Sequence, residues 1–343
     1  MTWERRWHPL REEWVTITSH RNTRPWSGAS ASQTVSDTPR YIEDCYLCPG
    51  NSRVSNATNP DYESVFVFDN DHPAFSMDAP GSLETPAAPY RNAPARGICR
   101  VVCYAPRHDL TLAQMAPASV ADVIDCWAEQ TRDLYARTDI EHVLIFENKG
   151  DIVGVSNPHP HCQIYAADFT FKGIDVELAA MQRYRREHQA SLFDAVIEAE
   201  RHDGRRIIAE NRHAIAFVPY FARFPYEVYI APLAAHNTLA EMDRGETGEF
   251  AQVLHEALVR LDNLWQTSFP YMLVVHQSPV THRAPGSYHC HIQIHPPLRR
   301  PGLQKFLAGV ETGGGHFLND KSPEEAAADL QAVEPVHYRS EQG

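Results

Sequence analysis

The feature that most constrains the fold of this chain is an internal repeat with a period of about 130 residues, the separation of His159 and His289. After Cys103-Tyr-Ala-Pro the chain shows a helical pattern, an apolar strand and a histidine-rich strand, and the same series follows Tyr229-Ile-Ala-Pro. Four matched elements in one order are typical of a duplicated unit. Two unrelated strand–helix–strand stretches are the alternative interpretation.

The two copies predict the same local structures. Apolar residues at helical spacing predict helices over 117–137 and 245–267, and short apolar runs predict the strands 142–146 and 271–275 that follow them. A long polar helix is expected over 175–201. Because short loops join sequential strands, antiparallel pairing is favoured. The sequence therefore predicts an α+β fold of two similar halves, each a mostly antiparallel sheet with helices packed on it.

The charge and the apolar pattern narrow the class of protein. The chain has 343 residues, enough for about two domains. Its 31 Lys and Arg against 44 Asp and Glu give a net charge of −13, which argues against nucleic acid or an acidic membrane as partner. No apolar run approaches ~18 residues and no secretory segment is recognisable, so we expect a cytoplasmic protein that does not span a membrane. The seven cysteines favour reduced thiols over a disulfide framework.

The first histidine-rich strand carries the strongest chemical signal. His159, His161 and Gln163 alternate and therefore lie on one face of a strand. A neutral imidazole can attack phosphorus at neutral pH, and a nearby amide can donate a hydrogen bond to a developing phosphoryl oxygen. Ser156 and Asn148 in the preceding loop and strand could donate in the same way. The alternative is an exposed polar strand edge.

Two further groups of residues could bind metal. Cys45 and Cys48 have the spacing at which one tight turn presents two thiolates to a tetrahedral ion, with His108 and His159 as plausible distant partners. A redox pair or two buried thiols are the alternatives. The second group comprises His276, His289 and His291 with an acidic residue from elsewhere. These histidines could instead line a polar cleft.

The motifs together resemble the galactose-1-phosphate uridylyltransferase family, within the histidine-triad superfamily. The resemblance covers nearly the whole chain and is carried chiefly by Cys45-Tyr-Leu-Cys-Pro-Gly, Phe146-Glu-Asn-Lys-Gly and Ser156-Asn-Pro-His-Pro-His161. It implies two internally duplicated histidine-triad-like halves. Residues 1–190 would hold the Cys-x-x-Cys metal site and the nucleophile, and residues 191–343 the second histidine cluster.

The resemblance also implies an activity and roles for individual residues. UMP would pass from UDP-glucose to galactose 1-phosphate by a ping-pong route through a uridylyl group on His161, with Gln163 and Ser156 completing the catalytic set. Glucose 1-phosphate and UDP-galactose would be the products, and the protein would be a homodimer. The matched substrate-binding positions are Arg21, Arg24, Asn70, Asp71, Asn148, Lys305 and Phe306.

Two metal sites follow from the same resemblance. Zinc would be held by the residues matching Cys45, Cys48, His108 and His159, and a second ion, iron or zinc, by those matching Glu177, His276, His289 and His291. Aligning instead on the Pro-Pro pair at 296–297 would match the family's last two histidines to His291 and Gln293. Glutamine is a poor ligand for either ion.

Two other functions remain open at the level of sequence. A related nucleotidyltransferase or phosphorylase could use the same histidine on ADP-sugars or dinucleoside polyphosphates. A non-catalytic nucleotide- or metal-binding protein could retain the duplication as a scaffold, although the joint presence of His161, Gln163 and Ser156 argues against it.

Overall fold

The computed structural model describes residues 3–23 and 38–340, and its core is a nine-stranded antiparallel sheet that runs through both copies of the repeat. The strands are β1 (Trp3–His8), β2 (Glu13–Thr18), β3 (Phe66–Asp69), β4 (Gly97–Cys103), β5 (His142–Lys149), β6 (His161–Ala167), β7 (Ile207–Glu210), β8 (Ala214–Phe217), β9 (Val228–Pro232), β10 (Tyr271–His276), β11 (His291–His295), β12 (Leu298–Arg300), β13 (Leu303–Gln304) and β14 (Leu318–Asn319). The helices are α1 (Pro117–Tyr135), α2 (Lys172–His188), α3 (Leu192–Asp203), α4 (Arg244–Leu264) and α5 (Pro323–Gln331).

The order of the strands confirms the duplication. The sheet runs β3-β4-β6-β5-β10-β11-β9-β8-β7, so the first copy read outward from β5 has the same order as the second copy read outward from β10. The two copies meet where β5 pairs with β10, with Glu147 opposite Leu273. The predicted α+β class and the antiparallel sheet are confirmed.

Helices α1 and α4 pack side by side on one face of the sheet. In α1 the buried residues Val120, Val123, Ile124, Trp127 and Leu134 follow the helical period, which produces one apolar stripe. The first turn of α4 is fixed by a capping box, in which Asp243 and Glu246 each accept from the other's backbone N–H. This helical layer closes the main core and leaves the opposite sheet face for the polar strand residues.

The expectation of one helix over 175–201 is wrong, because two helices replace it. Gln189 adopts a positive φ of 55° and ends α2, and the Ser191 hydroxyl accepts from the backbone N–H of Asp194 to begin α3. The expected division between 1–190 and 191–343 falls at this break. It stays a prediction, because a single sheet passes through both halves.

The second face of the sheet is covered differently in the two halves. Over the second copy, α2 and α3 form an apolar cluster with Leu10 and with strand residues such as Phe217 and Tyr229. Over the first copy, a loop that carries Cys45, Leu47 and Cys48 packs against β4. On this face His161 and Gln163 of the first copy adjoin a cavity, whereas His291 and Gln293 of the second copy are fully buried. No helix within the described ranges is both long and apolar enough to cross a membrane.

Candidate active site and metal clusters

His161 lies at the start of β6, on the sheet face opposite the helical layer. The alternate residues Cys162 and Ile164 enter the main core, so His161 and Gln163 face the other side with Phe146 of β5. The Nδ1 atom of His161 lies 2.7 Å from the carbonyl oxygen of His159. Because a carbonyl oxygen only accepts, Nδ1 carries the hydrogen and Nε2 keeps its lone pair. Burial lowers the pKa of His161, so the ring is neutral at pH 7.

The predicted catalytic residues are brought together around a small cavity. It is lined by Phe146, Asn148, Gly154, Val155, Ser156, His161, Cys162 and Gln163. The Gln163 Oε1 atom accepts from the Asn70 side-chain amide at 3.4 Å. The loop that supplies Ser156 leaves β5 at Gly150, which has φ 97° and a backbone too close to Pro270 for a Cβ atom. A phosphoryl group beside His161 would meet the side chains of Ser156, Gln163 and Asn148.

The other predicted substrate-binding residues are divided between two regions. Asp71 lies beside Arg53, 3.9 Å from its Nε atom, next to Asn70 in the chain. Arg21, Lys305 and Phe306 line a separate groove that does not include His161. Arg21 pairs there with Asp320 at 3.4 Å. Arg24 lies outside the described residues.

Cys45, Cys48, His108 and His159 form a buried cluster that could hold a metal ion. One ligand atom from each residue lies within 4.8 Å of all the others. The Cys48 Sγ atom lies 3.6 Å from His108 Nδ1 and 3.5 Å from His159 Nδ1. Two thiols and two imidazoles are a common tetrahedral donor set. The two cysteines therefore meet the two histidines that were proposed as their distant partners.

The surroundings orient these side chains for a cation. The His159 Nε2–H group donates to the Ala105 carbonyl at 3.0 Å, which leaves the Nδ1 lone pair facing Cys48. The Asn59 amide donates to the Cys48 carbonyl at 3.0 Å and steadies the cysteine turn. Burial raises the pKa of the Cys48 thiol to about 11, a cost that a bound cation would reverse. The donor set fits a metal ion.

His159 connects this cluster to His161. Its ring belongs to the metal cluster, and its backbone carbonyl accepts the Nδ1–H of His161. The side-chain oxygen of Asn157 accepts from the His159 backbone N–H at 2.9 Å, and its amide lies 3.5 Å from Cys45 Sγ. Sequence reasoning missed this positioning role of Asn157. Its place between Ser156 and Pro158, inside the strongest motif, was the available signal.

The second cluster joins Glu177 of α2 to His276 and His291. Ligand atoms of these three buried residues lie within 4.8 Å of one another. Glu177 Oε2 accepts from His276 Nδ1 at 2.8 Å and from the Tyr288 hydroxyl at 2.9 Å. Burial acts to raise the pKa of Glu177, but His276, His291 and Tyr288 outweigh it and hold that pKa well below its usual range. The distances between these ligand atoms would by themselves allow a metal ion to bind.

The prediction that His289 is a ligand is wrong. The His289 Nε2 atom donates to the Pro232 carbonyl at 2.8 Å, and Nδ1 lies 2.9 Å from Asp194 of α3. His289 occupies the position in the second copy that His159 occupies in the first. Its contacts with Asp194 and Pro232 direct its ring away from Glu177. Gln293 lies in the cluster instead, as alignment on the Pro-Pro pair allowed. Its amide nitrogen presents hydrogens to Glu177 and His291, so the fourth side chain does not fit a metal ion.

Comparison with known proteins places the chain in a family. A family model described as the N-terminal domain of galactose-1-phosphate uridyl transferase matches residues 1–170, and the model of the C-terminal domain matches residues 177–342. The chain belongs to the galactose-1-phosphate uridylyltransferase family. It is therefore a nucleotidyltransferase by family, and the resemblance drawn from its motifs is confirmed.

Individual relatives agree with this family. The galactose-1-phosphate uridylyltransferase of Haemophilus influenzae is 35% identical over 336 residues, which span 98% of this chain and 95% of the relative. A solved structure titled "Structure of uridylyltransferase" has a TM-score of 0.78 and 29% identity, covering 96% of this chain and 97% of the other. An ADP-glucose phosphorylase from Arabidopsis thaliana has the same TM-score of 0.78 at 21% identity, covering 97% of this chain and 99% of that one, and shows likeness of fold alone.

Proposed function

We propose that this enzyme transfers a uridylyl group from UDP-glucose to galactose 1-phosphate through a covalent adduct on His161. The observation that carries the proposal is the state of His161 in a chain of this family. Its ring is neutral, its Nδ1–H is fixed on the His159 carbonyl, and its Nε2 lone pair is left for the cavity beside Ser156 and Gln163. A fixed, neutral imidazole needs no further base to act as a nucleophile.

The transfer divides into two half-reactions that use the same bonds in reverse. The His161 Nε2 lone pair forms a bond to the α-phosphorus of UDP-glucose. The bond from that phosphorus to the bridging oxygen breaks, and glucose 1-phosphate leaves with the electron pair. A phosphate oxygen of galactose 1-phosphate then attacks the same phosphorus, which returns the electron pair to Nε2 and forms UDP-galactose. Donors from Gln163, Ser156 and Asn148 would stabilise the charge that develops on the phosphoryl oxygens.

We assign zinc to Cys45, Cys48, His108 and His159. When bound, the ion would supply structural cross-linking of the cysteine turn to β6. Its position supports this role, since the His159 ring lies in the cluster while the His159 carbonyl holds His161. The chain's own residues carry out every step at phosphorus.

The remaining substrate-binding residues support a homodimer with shared sites. Asn70, through its contact with Gln163, and the adjacent Asp71 are assigned to the nucleotide. Arg21, Lys305 and Phe306 line a groove apart from His161 of the same chain. We assign Lys305 and Phe306 to the sugar phosphate bound by the partner subunit, and Arg21 and Arg24 to its nucleotide. Soluble nucleotide sugars as substrates also accord with a cytoplasmic enzyme.

The chemistry is tested by incubation with UDP-glucose alone. We expect a burst of glucose 1-phosphate equal to one molecule per chain, followed by UDP-galactose only when galactose 1-phosphate is added. ADP-glucose and a dinucleoside tetraphosphate serve as parallel donors. A burst with either of those and none with UDP-glucose would overturn the choice of nucleotide, and no burst with any donor would overturn the covalent route.

The shared site is tested by mixing two inactive variants. His161→Asn removes the nucleophile, and Lys305→Ala removes the proposed sugar-phosphate contact. If sites are shared across a homodimer, refolding the two together restores about a quarter of the activity, because one site in a mixed dimer contains neither change. No restoration, with dimers present, would place Lys305 outside the partner's site.

A further inference from the structure

The C-terminal cluster contains an amide where a metal site would contain the ion. The Gln293 Nε2 atom lies 2.9 Å from Glu177 Oε1, 2.9 Å from His291 Nε2 and 3.4 Å from His276 Nδ1. One nitrogen is thus within contact of an atom from each of the three candidate ligands. A metal ion would have to occupy this same space.

The orientation of the amide follows from its neighbours. A carboxylate oxygen only accepts, so the atom of Gln293 beside Glu177 is the NH₂ group. The His291 Nδ1 atom lies 2.9 Å from the His289 carbonyl and therefore carries the ring hydrogen, which makes His291 Nε2 an acceptor. Both hydrogens of the Gln293 amide are consequently used, one by Glu177 and one by His291.

The second oxygen of the Glu177 carboxylate is also hydrogen-bonded. His276 Nδ1 and the Tyr288 hydroxyl both donate to Oε2, so the buried carboxylate receives three hydrogen bonds in all. Such an arrangement compensates the burial of a charge without a cation. We propose that the Gln293 amide nitrogen replaces a metal ion, and that Glu177, His276 and His291 form a hydrogen-bonded site that binds no divalent metal.

The two clusters therefore predict one tightly bound ion per chain and not two. Zinc and iron are measured in the wild-type protein and in Cys48→Ser, His276→Ala and Glu177→Gln, all expressed with both metals supplied. We expect one equivalent in the wild type, the same in His276→Ala and Glu177→Gln, and none in Cys48→Ser. Loss of one equivalent in His276→Ala or Glu177→Gln would overturn the proposal. Two equivalents in the wild type, one of them retained by Cys48→Ser, would overturn it as well.

A gain of metal provides the complementary test. Gln293→His replaces the two donors by a ring nitrogen that can coordinate, and we expect the metal content to rise by one equivalent. The double variant Gln293→His with His276→Ala should lose that additional ion. Cobalt in the new site should lack the thiolate charge-transfer absorption of the cysteine site. Folded Gln293→His with unchanged metal content would contradict the role given to Gln293.

Discussion

Strands β6 and β11 are two copies of one histidine motif, and only the first is open. In both, the second histidine donates from Nδ1 to the carbonyl of the first, at 2.7 Å for His161 and 2.9 Å for His291. His161 adjoins a cavity, whereas His291 is fully buried and its Nε2 receives a hydrogen from Gln293. The hydrogen bond that orients the proposed nucleophile is thus retained in a copy whose second histidine is fully buried.

The covering of each strand explains the difference. Phe193 of α3 packs on the rings of His289 and His291, with ring centroids 4.8 and 4.4 Å apart. In the first copy the equivalent face carries the cysteine loop, which engages His159 and leaves His161 beside the cavity. The element that covers each strand therefore determines which of the two second histidines adjoins a cavity.

The largest expected effect separates the two second histidines. His161→Asn should lower kcat by about 10⁴-fold or more, because the covalent route disappears. His291→Asn should keep kcat within about threefold and lower the melting temperature, since His291 is a buried packing and hydrogen-bonding residue. Steady-state kinetics and thermal unfolding of both variants measure this. A large loss of kcat in folded His291→Asn would break the distinction between the copies.

The next effect concerns the cluster of Cys45, Cys48, His108 and His159. His159 links this cluster to the strand that carries His161. Cys48→Ser should lose the bound ion and more than about 3 kcal/mol of unfolding free energy, because metal binding and folding are coupled. Denaturant unfolding and metal content are the measurements. Cys126→Ser is the control, since Cys126 lies on α1 outside the cluster, and it should retain both. Equal stability of the two variants would remove the structural role of the ion.

The paired glutamines should respond in opposite ways. Gln293→Leu leaves the Glu177 carboxylate with one donor fewer and should cost about 2–3 kcal/mol of unfolding free energy, with little loss of kcat. Gln163→Leu, beside the cavity, should change stability by less than about 0.5 kcal/mol. It should lower kcat by about 10²-fold, the effect typical of removing one donor to a developing negative charge. The same response from both variants would contradict the assignment of a structural role to Gln293 and a catalytic role to Gln163.

Two buried carboxylates should make opposite contributions to the pH dependence of the free energy of unfolding. Burial raises the pKa of Glu147 to about 7, although the Tyr104 and Tyr271 hydroxyls donate to it at 3.1 and 3.2 Å. The contribution of Glu147 to the free energy of unfolding is therefore full below pH 4.5, the ordinary pKa of a glutamate, and is lost as the pH rises through about 7. The contribution of Glu177, whose pKa is lowered, is present above its ordinary value and is lost as the pH falls.

Glu147→Gln isolates the first of these effects. Relative to wild type, this variant should gain roughly 2–3 kcal/mol of unfolding free energy between pH 5 and pH 8. Unfolding curves over that range measure the difference, and Glu198→Gln, on the exposed part of α3, is the matched control. A flat difference for Glu147→Gln would show that Glu147 ionises normally in its buried position.

The sequence predicted the parts of the structure that depend on repeated or adjacent residues. The period of about 130 residues gave the two sheet halves, and strand alternation placed His161 and Gln163 on one face. The cysteine spacing and the family resemblance gave a metal cluster whose four members do meet. In these cases the repeat, the strand alternation and the motifs were sufficient to predict the arrangement.

The wrong predictions concern features that short sequence patterns do not determine. A His-x-His pattern cannot tell which ring faces Glu177, because Asp194 and the Pro232 carbonyl take His289 and come from other elements. The break between α2 and α3 depends on a positive φ at Gln189, and glutamine is not a residue type that indicates a left-handed backbone.

Mapping the covalent adduct shows whether the chemistry belongs to one copy of the histidine motif. The protein is incubated with UDP-glucose alone, quenched under mildly alkaline conditions that preserve phosphorus–nitrogen bonds, and digested for mass spectrometry. We expect one uridylyl group per chain, on the peptide that contains His161. A uridylyl group on the peptide that contains His291, or on both peptides, would contradict it.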